Sequence, residues 1–410
     1  MNDRRYRVLA VASHPVQYMS PVLRRLSQDP RLDLHVAYCS LKGAQAAHDP
    51  DFNTTVQWDV PLLEGYSWEE IRNRGSGAET FFGLFNPGLV SVIRQGKYDA
   101  IVSLTGYICA SFWLSFVAAR WSGTAFLFGT DASSLESRDP RRWKVTVKKL
   151  IWRHLFGLAD QVIAPSSAGV EMMRSLGIPN ERITLTPFVV DNDWWSSQAA
   201  KVNRAVVRES WDVAADKLVV LFCAKLQGWK RPLDLLRAFA AADVSDAVLV
   251  YAGDGPLLAT LKAEAHSLGI ESRVRFLGFT NQSQLPSVYS SADLFVLPSD
   301  YDPCPVVVCE SMLCGLPVLL SDKIRGRFDL VIPGQTGDTF PCGNIAALGL
   351  ALRKLLADRL ALGVLSRNAR ARMESWSPKE NVAGMVKAIQ RAVANVHQEV
   401  LDVSSDATRT

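Results

Sequence analysis

The feature that most restricts what this chain can fold into is a rhythm. Short β-branched runs alternate with longer stretches of helical spacing, and the rhythm starts twice. In the first half, residues 7–12, 34–38, 100–104, 125–128 and 161–164 read as strands, with helices at 21–27, 111–120 and 169–176. In the second, strands are expected at 218–223, 247–251, 274–277, 294–297 and 317–320, with helices at 232–241 and 256–267. Strand, helix, strand succession at these lengths implies parallel sheets of βαβ units. Residues 190–216, between the two series, are polar and hold no sustained apolar run. The 410 residues also exceed the roughly 250–300 at which one core stops growing. The expected class is α/β, with two Rossmann-like domains at 1–190 and 217–376, a linker at 191–216, and a cleft between facing sheets. A helix at 377–397 is a candidate to pack back on the N-terminal domain, and 398–410 reads as a disordered tail.

Composition narrows the function classes. A chain 48% hydrophobic and 21% charged is neither disordered nor collagen-like. A net charge of +4 lacks the basic footprint of a dedicated nucleic-acid binder. The seven cysteines are scattered with no C-x-x-C pair, so neither a disulfide framework nor a metal site is expected. The apolar run at 8–12 is too short for a signal-peptide core, and 107–119 falls short of the ~20 residues of a bilayer span. The reading is a soluble cytoplasmic protein.

Three segments bear chemistry. Lys225 and Lys230 follow the strand at 218–223 and precede a helix, at the edge of a parallel sheet where phosphates are held. Two ammonium groups there would neutralise a diphosphate; the plainer alternative is an ordinary solvated loop. Asp302 and Glu310 bracket a Pro-rich turn and a helix expected to begin near Pro305, whose free N–H groups at Val306 and Val307 would favour an anion. Glu310 could then accept hydrogen bonds from vicinal sugar hydroxyls, or the acidic pair could merely complement the helix dipole. Gly253-Asp-Gly-Pro256 fails as a dinucleotide fingerprint, because no third glycine opens the helix, and alone indicates a tight turn.

In order, Lys225…Lys230, Gly253-Asp-Gly-Pro256, Val274-Arg-Phe-Leu-Gly278, Tyr289-Ser-Ser-Ala-Asp-Leu-Phe-Val-Leu-Pro-Ser299, Asp302…Glu310 and Cys314-Gly-Leu-Pro-Val318 resemble the donor domain of the family 4 (group 1) retaining glycosyltransferases of GT-B fold. The opening Ser13-His-Pro-Val-Gln-Tyr18 is similar to a subgroup of that family. The resemblance implies that Lys225 and Lys230 hold the diphosphate of a nucleotide sugar such as a UDP-sugar. It implies that Glu310 binds the ribose, that Asp302 contacts the transferred sugar, and that Gly278-Phe279 faces the base. Gly253, Cys304, Pro305, Val306 and Val307 would complete the donor site. Pro305 offers no N–H, which leaves the phosphate cradle to Val306 and Val307. His14, Gln17 and Asp131 fall on the acceptor side, although His14 could equally serve structure and Asp131 could cap the next segment.

The implied reaction is retaining transfer to a glycan, lipid-linked or small hydroxyl acceptor, with no cofactor and no metal. Rival readings are a catalytically silent relative and a sugar-nucleotide epimerase. The segment 138–156, with Arg138, Arg141, Arg142, Lys144, Lys148, Lys149 and Arg153 interleaved with Trp143, Leu150, Trp152 and Phe156, suggests peripheral contact with an anionic membrane face. A packing helix with a solvated basic side is the alternative.

Overall fold

A computed structural model of the chain describes residues 4–49, 54–78, 80–135, 142–303 and 305–407, with side chains described except at 47–49, 54–55, 142–144 and 399–407. Cys304, the segment 136–141 and the last three residues lie outside the described residues. The strands in chain order are β1 (Tyr6–Ala12), β2 (Leu32–Tyr38), β3 (Ala47–Asp49), β4 (Thr54–Val56), β5 (Ser67–Glu70), β6 (Ala100–Ser103), β7 (Ala125–Gly129), β8 (Gln161–Ala164), β9 (Ile183–Leu185), β10 (Leu218–Cys223), β11 (Ala247–Ala252), β12 (Val274–Gly278), β13 (Leu294–Leu297), β14 (Val318–Ser321) and β15 (Gly337–Phe340).

Two compact units share the chain: Met1–Gln45, Pro61–Phe188 and Pro378–Thr410 in one, Ala46–Val60 and Val189–Ser377 in the other. The first holds a parallel sheet of order β5-β2-β1-β6-β7-β8-β9, the second a parallel sheet of order β12-β11-β10-β13-β14-β15. Every residue of β10 and β11 is buried, as expected of strands covered on both faces, which read as unbroken apolar runs rather than alternation. In both sheets the chain leaves a central strand one way and later resumes the other way. The reversal falls between β1 and β6 in the first and between β10 and β13 in the second. These are the points at which an open α/β sheet binds ligands, beyond the carboxyl ends of the strands.

The expected division is redrawn in three places. Residues 46–60, carrying the antiparallel pair β3 and β4, fold with the second unit although both flanks belong to the first. The expected linker is folded: helices Asn192–Ala199 and Arg204–Ser210 belong to the second unit. Its polar composition hid two inward anchors. Trp195 is 1% exposed, and the Arg208 guanidinium is buried against Asp293 at 2.6 Å and donates to the carbonyls of Ser291, Ala215 and Lys217. Finally, the last helix runs from Pro378 to Ala407, through most of the expected tail. It packs on β7, β8 and β9, where Asn381 donates to the Pro187 carbonyl at 2.7 Å. Gly384 permits the approach, since a Cβ there would stand 2.3 Å from the Leu185 carbonyl oxygen.

In the basic segment the structure sorts the apolar residues into two faces. In helix Arg142–Gly157 the aromatic residues Trp152 and Phe156 face the core, Phe156 stacking on Phe128 with ring centroids 5.2 Å apart. The exposed apolar residues are instead Val147, Leu150 and Ile151. At about 100° per residue the two sets fall on different sides of the helix, a division that composition alone does not resolve.

Candidate active site

β10 and β13 lie side by side, with Val220 opposite Leu294. Their onward loops flank the switch point of the second sheet. The loop after β10 rests on the turn after β11: Leu226 N–H donates to the Asp254 carbonyl at 2.8 Å, and Leu257 N–H donates to the Leu226 carbonyl at 3.0 Å. Gly253 makes this possible. Its φ is +142°, and a Cβ would lie 2.1 Å from the Ala224 carbonyl oxygen. The Gly-Asp-Gly turn therefore acts as a backing for the Lys225 loop. Gly253 N–H also donates to the Gly278 carbonyl at 2.8 Å, which brings the end of β12 and the part-buried Phe279 to the same edge.

Lys230 ends the short 3-10 turn Gly228–Lys230, and Asp300 N–H ties that turn to the loop after β13 by donating to the Trp229 carbonyl at 2.9 Å. Lys230 Nζ lies 2.5 Å from Asp302 Oδ2, with the two side chains only 12% and 11% exposed, and sits 4.2 Å from the centroid of the Trp229 ring. Asp302 is fixed in turn. It bridges to Ile324, and its carbonyl accepts from Arg325 N–H at 3.1 Å. An ammonium has three donors, so Lys230 can keep Asp302 and the ring face and still present an N–H to an anion. Lys225 lies part-exposed on the same loop.

Helix Val306–Leu313 starts one residue after Pro305, its N-cap residue. Val306 and Val307 are part-exposed, and the first amides of a helix lack intrahelical acceptors, so the positive end of this helix opens four residues after Asp302, the partner of Lys230. One turn in, Glu310 is 3% exposed. Tyr289 Oη donates to its Oε2 at 3.0 Å and Gln282 Nε2 to its Oε1 at 3.4 Å. Burial pushes its carboxyl up to about 7, with these two donors pulling the other way. Burial likewise holds the Tyr289 hydroxyl well above its ordinary range. Tyr289 and Gln282 carried no role in the sequence reading. Tyr289 stood inside a quoted motif, but nothing in its spacing pointed at Glu310.

The first unit gathers its candidates at its own carboxyl edge. His14 is exposed just past β1, with Ser13 Oγ 3.1 Å from its Nδ1, and Gln17 is part-buried nearby in sequence. Asp131 is exposed two residues past β7. β6 separates the two strands, so His14 and Asp131 share an edge rather than a contact. Among the described residues there is no group of three or more His, Cys, Asp or Glu arranged to hold a metal ion. Among the same residues no helix is long and apolar enough to cross a membrane.

Comparison with known proteins places this geometry. Residues 34–194 match the family model described as Glycosyltransferase Family 4, and 203–373 match Glycosyl transferases group 1. The alpha-D-kanosaminyltransferase of Streptomyces kanamyceticus is 29% identical over 46% of this chain and 48% of its own length. The N-acetyl-alpha-D-glucosaminyl L-malate synthase of Bacillus anthracis is 25% identical over 69% of this chain and 71% of its own. The chain spans about half the length of the first curated relatives it matches. Among solved structures, HepE of Anabaena in complex with UDP aligns over 98% of this chain and 100% of its own, at a TM-score of 0.68 and 19% identity. The fold is GT-B, as the motifs implied. With one model on each half of the chain, in order, this protein belongs to the group 1, family 4 glycosyltransferases.

Proposed function

We propose that the protein is a retaining, metal-independent glycosyltransferase that moves a sugar from a nucleoside diphosphate donor to a hydroxyl acceptor in polysaccharide or glycolipid synthesis. The observation that carries the reading is the meeting, at one switch point, of the Lys230–Asp302 pair and a helix start, with Glu310 buried one turn deeper. Lys230, Lys225 and the amides of Val306 and Val307 would take the charge that develops on the departing diphosphate, a fixed electrostatic role that needs no metal. Glu310, once ionised, would accept hydrogen bonds from the ribose hydroxyls. Asp302 would reach the sugar while holding Lys230. His14, Gln17 and Asp131 would serve the acceptor, and Gly278-Phe279 the base. With no side chain assigned as nucleophile, the sugar would leave and be captured on the same face through an oxocarbenium-like state. The UDP complex of HepE supports a uridine donor.

The test is a panel of UDP-, GDP- and ADP-sugars with chelator present, read by nucleotide release and by the anomeric configuration of the product. Inverted configuration, or activity abolished by the chelator, would overturn the corresponding part. Binding without turnover for every donor and acceptor would favour a catalytically silent relative, and sugar change without acceptor an epimerase.

A second reading concerns place. Exposed Val147, Leu150 and Ile151 share helix Arg142–Gly157 with the exposed Lys149 and Arg153. This supports a cytoplasmic protein that touches an anionic membrane face, since apolar area and cationic charge add in such binding. Sedimentation with phosphatidylglycerol vesicles tests it, and equal partition of a Leu150→Ser/Ile151→Ser variant would remove it.

A further inference from the structure

The strap 46–60 leaves the first unit at Gln45 and returns to it at Pro61, yet it folds with the second unit. Its pair β3 and β4 ends on the buried Val56 and is followed by two attachments to the loop that follows β12. The Gln57 carbonyl accepts from Asn281 Nδ2 at 2.7 Å. Asp59 Oδ1 accepts from Ser283 N–H at 3.0 Å, and its other oxygen accepts from the Ser283 hydroxyl. Between the two tethered residues stands Gln282, 6% exposed, whose amide donates to Glu310 at 3.4 Å.

That last bond is at the long end of what counts as a hydrogen bond. A shift of a few tenths of an ångström in 281–283 would break it, and the strap holds those residues from both sides. We propose that Asp59 is a positioning residue for the donor site, acting through Ser283 and Gln282 on the Glu310 carboxylate. The inference rests on the proposed ribose-binding role of Glu310. Gln282 is one of the two donors that favour the ionised form of Glu310. Releasing it leaves a carboxyl that is less often ionised near neutral pH and less fixed in direction, hence a poorer acceptor for sugar hydroxyls.

The experiment uses the full chain and whichever of UDP, GDP or ADP binds the wild type by calorimetry, with donor kinetics beside it. Asp59→Ala is expected to weaken nucleotide binding and raise donor KM about fivefold, the loss of roughly one hydrogen bond, while kcat changes less than twofold. Asp59→Asn, which keeps one acceptor oxygen for the Ser283 N–H, should recover part of the loss. On a Gln282→Ala background, Asp59→Ala should add almost nothing, a non-additivity that a purely structural tether would not produce. An unchanged donor KM in Asp59→Ala, or the full effect persisting without Gln282, would overturn the proposal. The Glu310→Ala variant separates the two levels. If it binds nucleotide normally, or if no nucleotide binds the wild type, the ribose-site reading falls and the inference with it. If it loses binding while Asp59→Ala does not, only the strap is discounted.

Discussion

Lys230 is held on one side by the Asp302 carboxylate and on another by the Trp229 ring, in a setting that admits little water. Removing one partner of such a pair strands the other, at a cost of about 3–5 kcal/mol when burial is deep. Lys230→Ala should therefore lower the melting temperature as well as turnover. The double variant Lys230→Ala/Asp302→Ala should regain most of the stability and none of the activity. Calorimetry and nucleotide release on the three proteins check this, and an unchanged melting temperature in the single variant would show the pair to be slack. Glu310 gives a second handle. Its folded-state carboxyl is raised from 4.5 to about 7, so the fold favours the protonated form. The stability this contributes is fully present below about pH 4.5 and is lost as pH rises through 7. Melting temperature should fall by a few °C across that window, and Glu310→Gln should flatten the fall. Both residues were visible in the sequence as charges beside turns. Their partners Asp302 and Tyr289 were visible as letters, but the pairings were not, because one joins two loops 72 residues apart and the other two helices 21 residues apart.

At the level of elements, the strands that stood out were those buried on both faces. β10 and β13 were bounded to the residue, because an unbroken apolar run between turns has few alternatives. β15 has the sequence Gly-Asp-Thr-Phe and sits at a sheet edge, where half-buried polar residues suffice, so it gave no signal. The helices at 192–199 and 204–210 were hidden for a related reason, since each buries a single large residue, Trp195 in one and Arg208 in the other. Helix Arg142–Gly157 shows how composition misleads about direction. Trp152→Ala should cost about 3–5 kcal/mol because the ring lies in the core, whereas Leu150→Ser on the exposed side should stay within about 0.5 kcal/mol. Chemical denaturation of the two variants separates the faces, and equal losses would contradict this orientation. The turn after β11 offers a parallel case. In Gly253→Ala the new methyl group meets the Ala224 carbonyl oxygen, so the Lys225 loop must move, and donor turnover should drop even in a protein that still folds.

On the scale of the whole molecule, the chain passes between its two units at 45/46, 60/61, 188/189 and 377/378, so neither unit is a single stretch of sequence. A division near residue 190 that returns the last helix to the first unit therefore captures both sheets and one exchanged piece, and misses the other, the strap at 46–60. The last helix closes the first unit's core. Met385, Val386, Ala388, Ile389, Ala392 and Val393 are each at most 6% exposed, and the helix covers β7, β8 and β9. Each large apolar side chain buried there contributes roughly 1.5–3 kcal/mol. Four of them together rival the ~5–15 kcal/mol by which a whole domain is stable. A chain ended at Ser377 should thus keep a folded second unit, whose sheet and helices lie within 46–60 and 189–377, while the first unit loses cooperative unfolding. Hydrogen exchange reads the two separately. Fast exchange confined to β7, β8 and β9 and their neighbours is the expected pattern, with protection retained in β10, β11 and β13. Equal protection of both sheets in the truncated chain would mean that the first core is closed by other contacts, and that the C-terminal helix is an ornament on it rather than part of it.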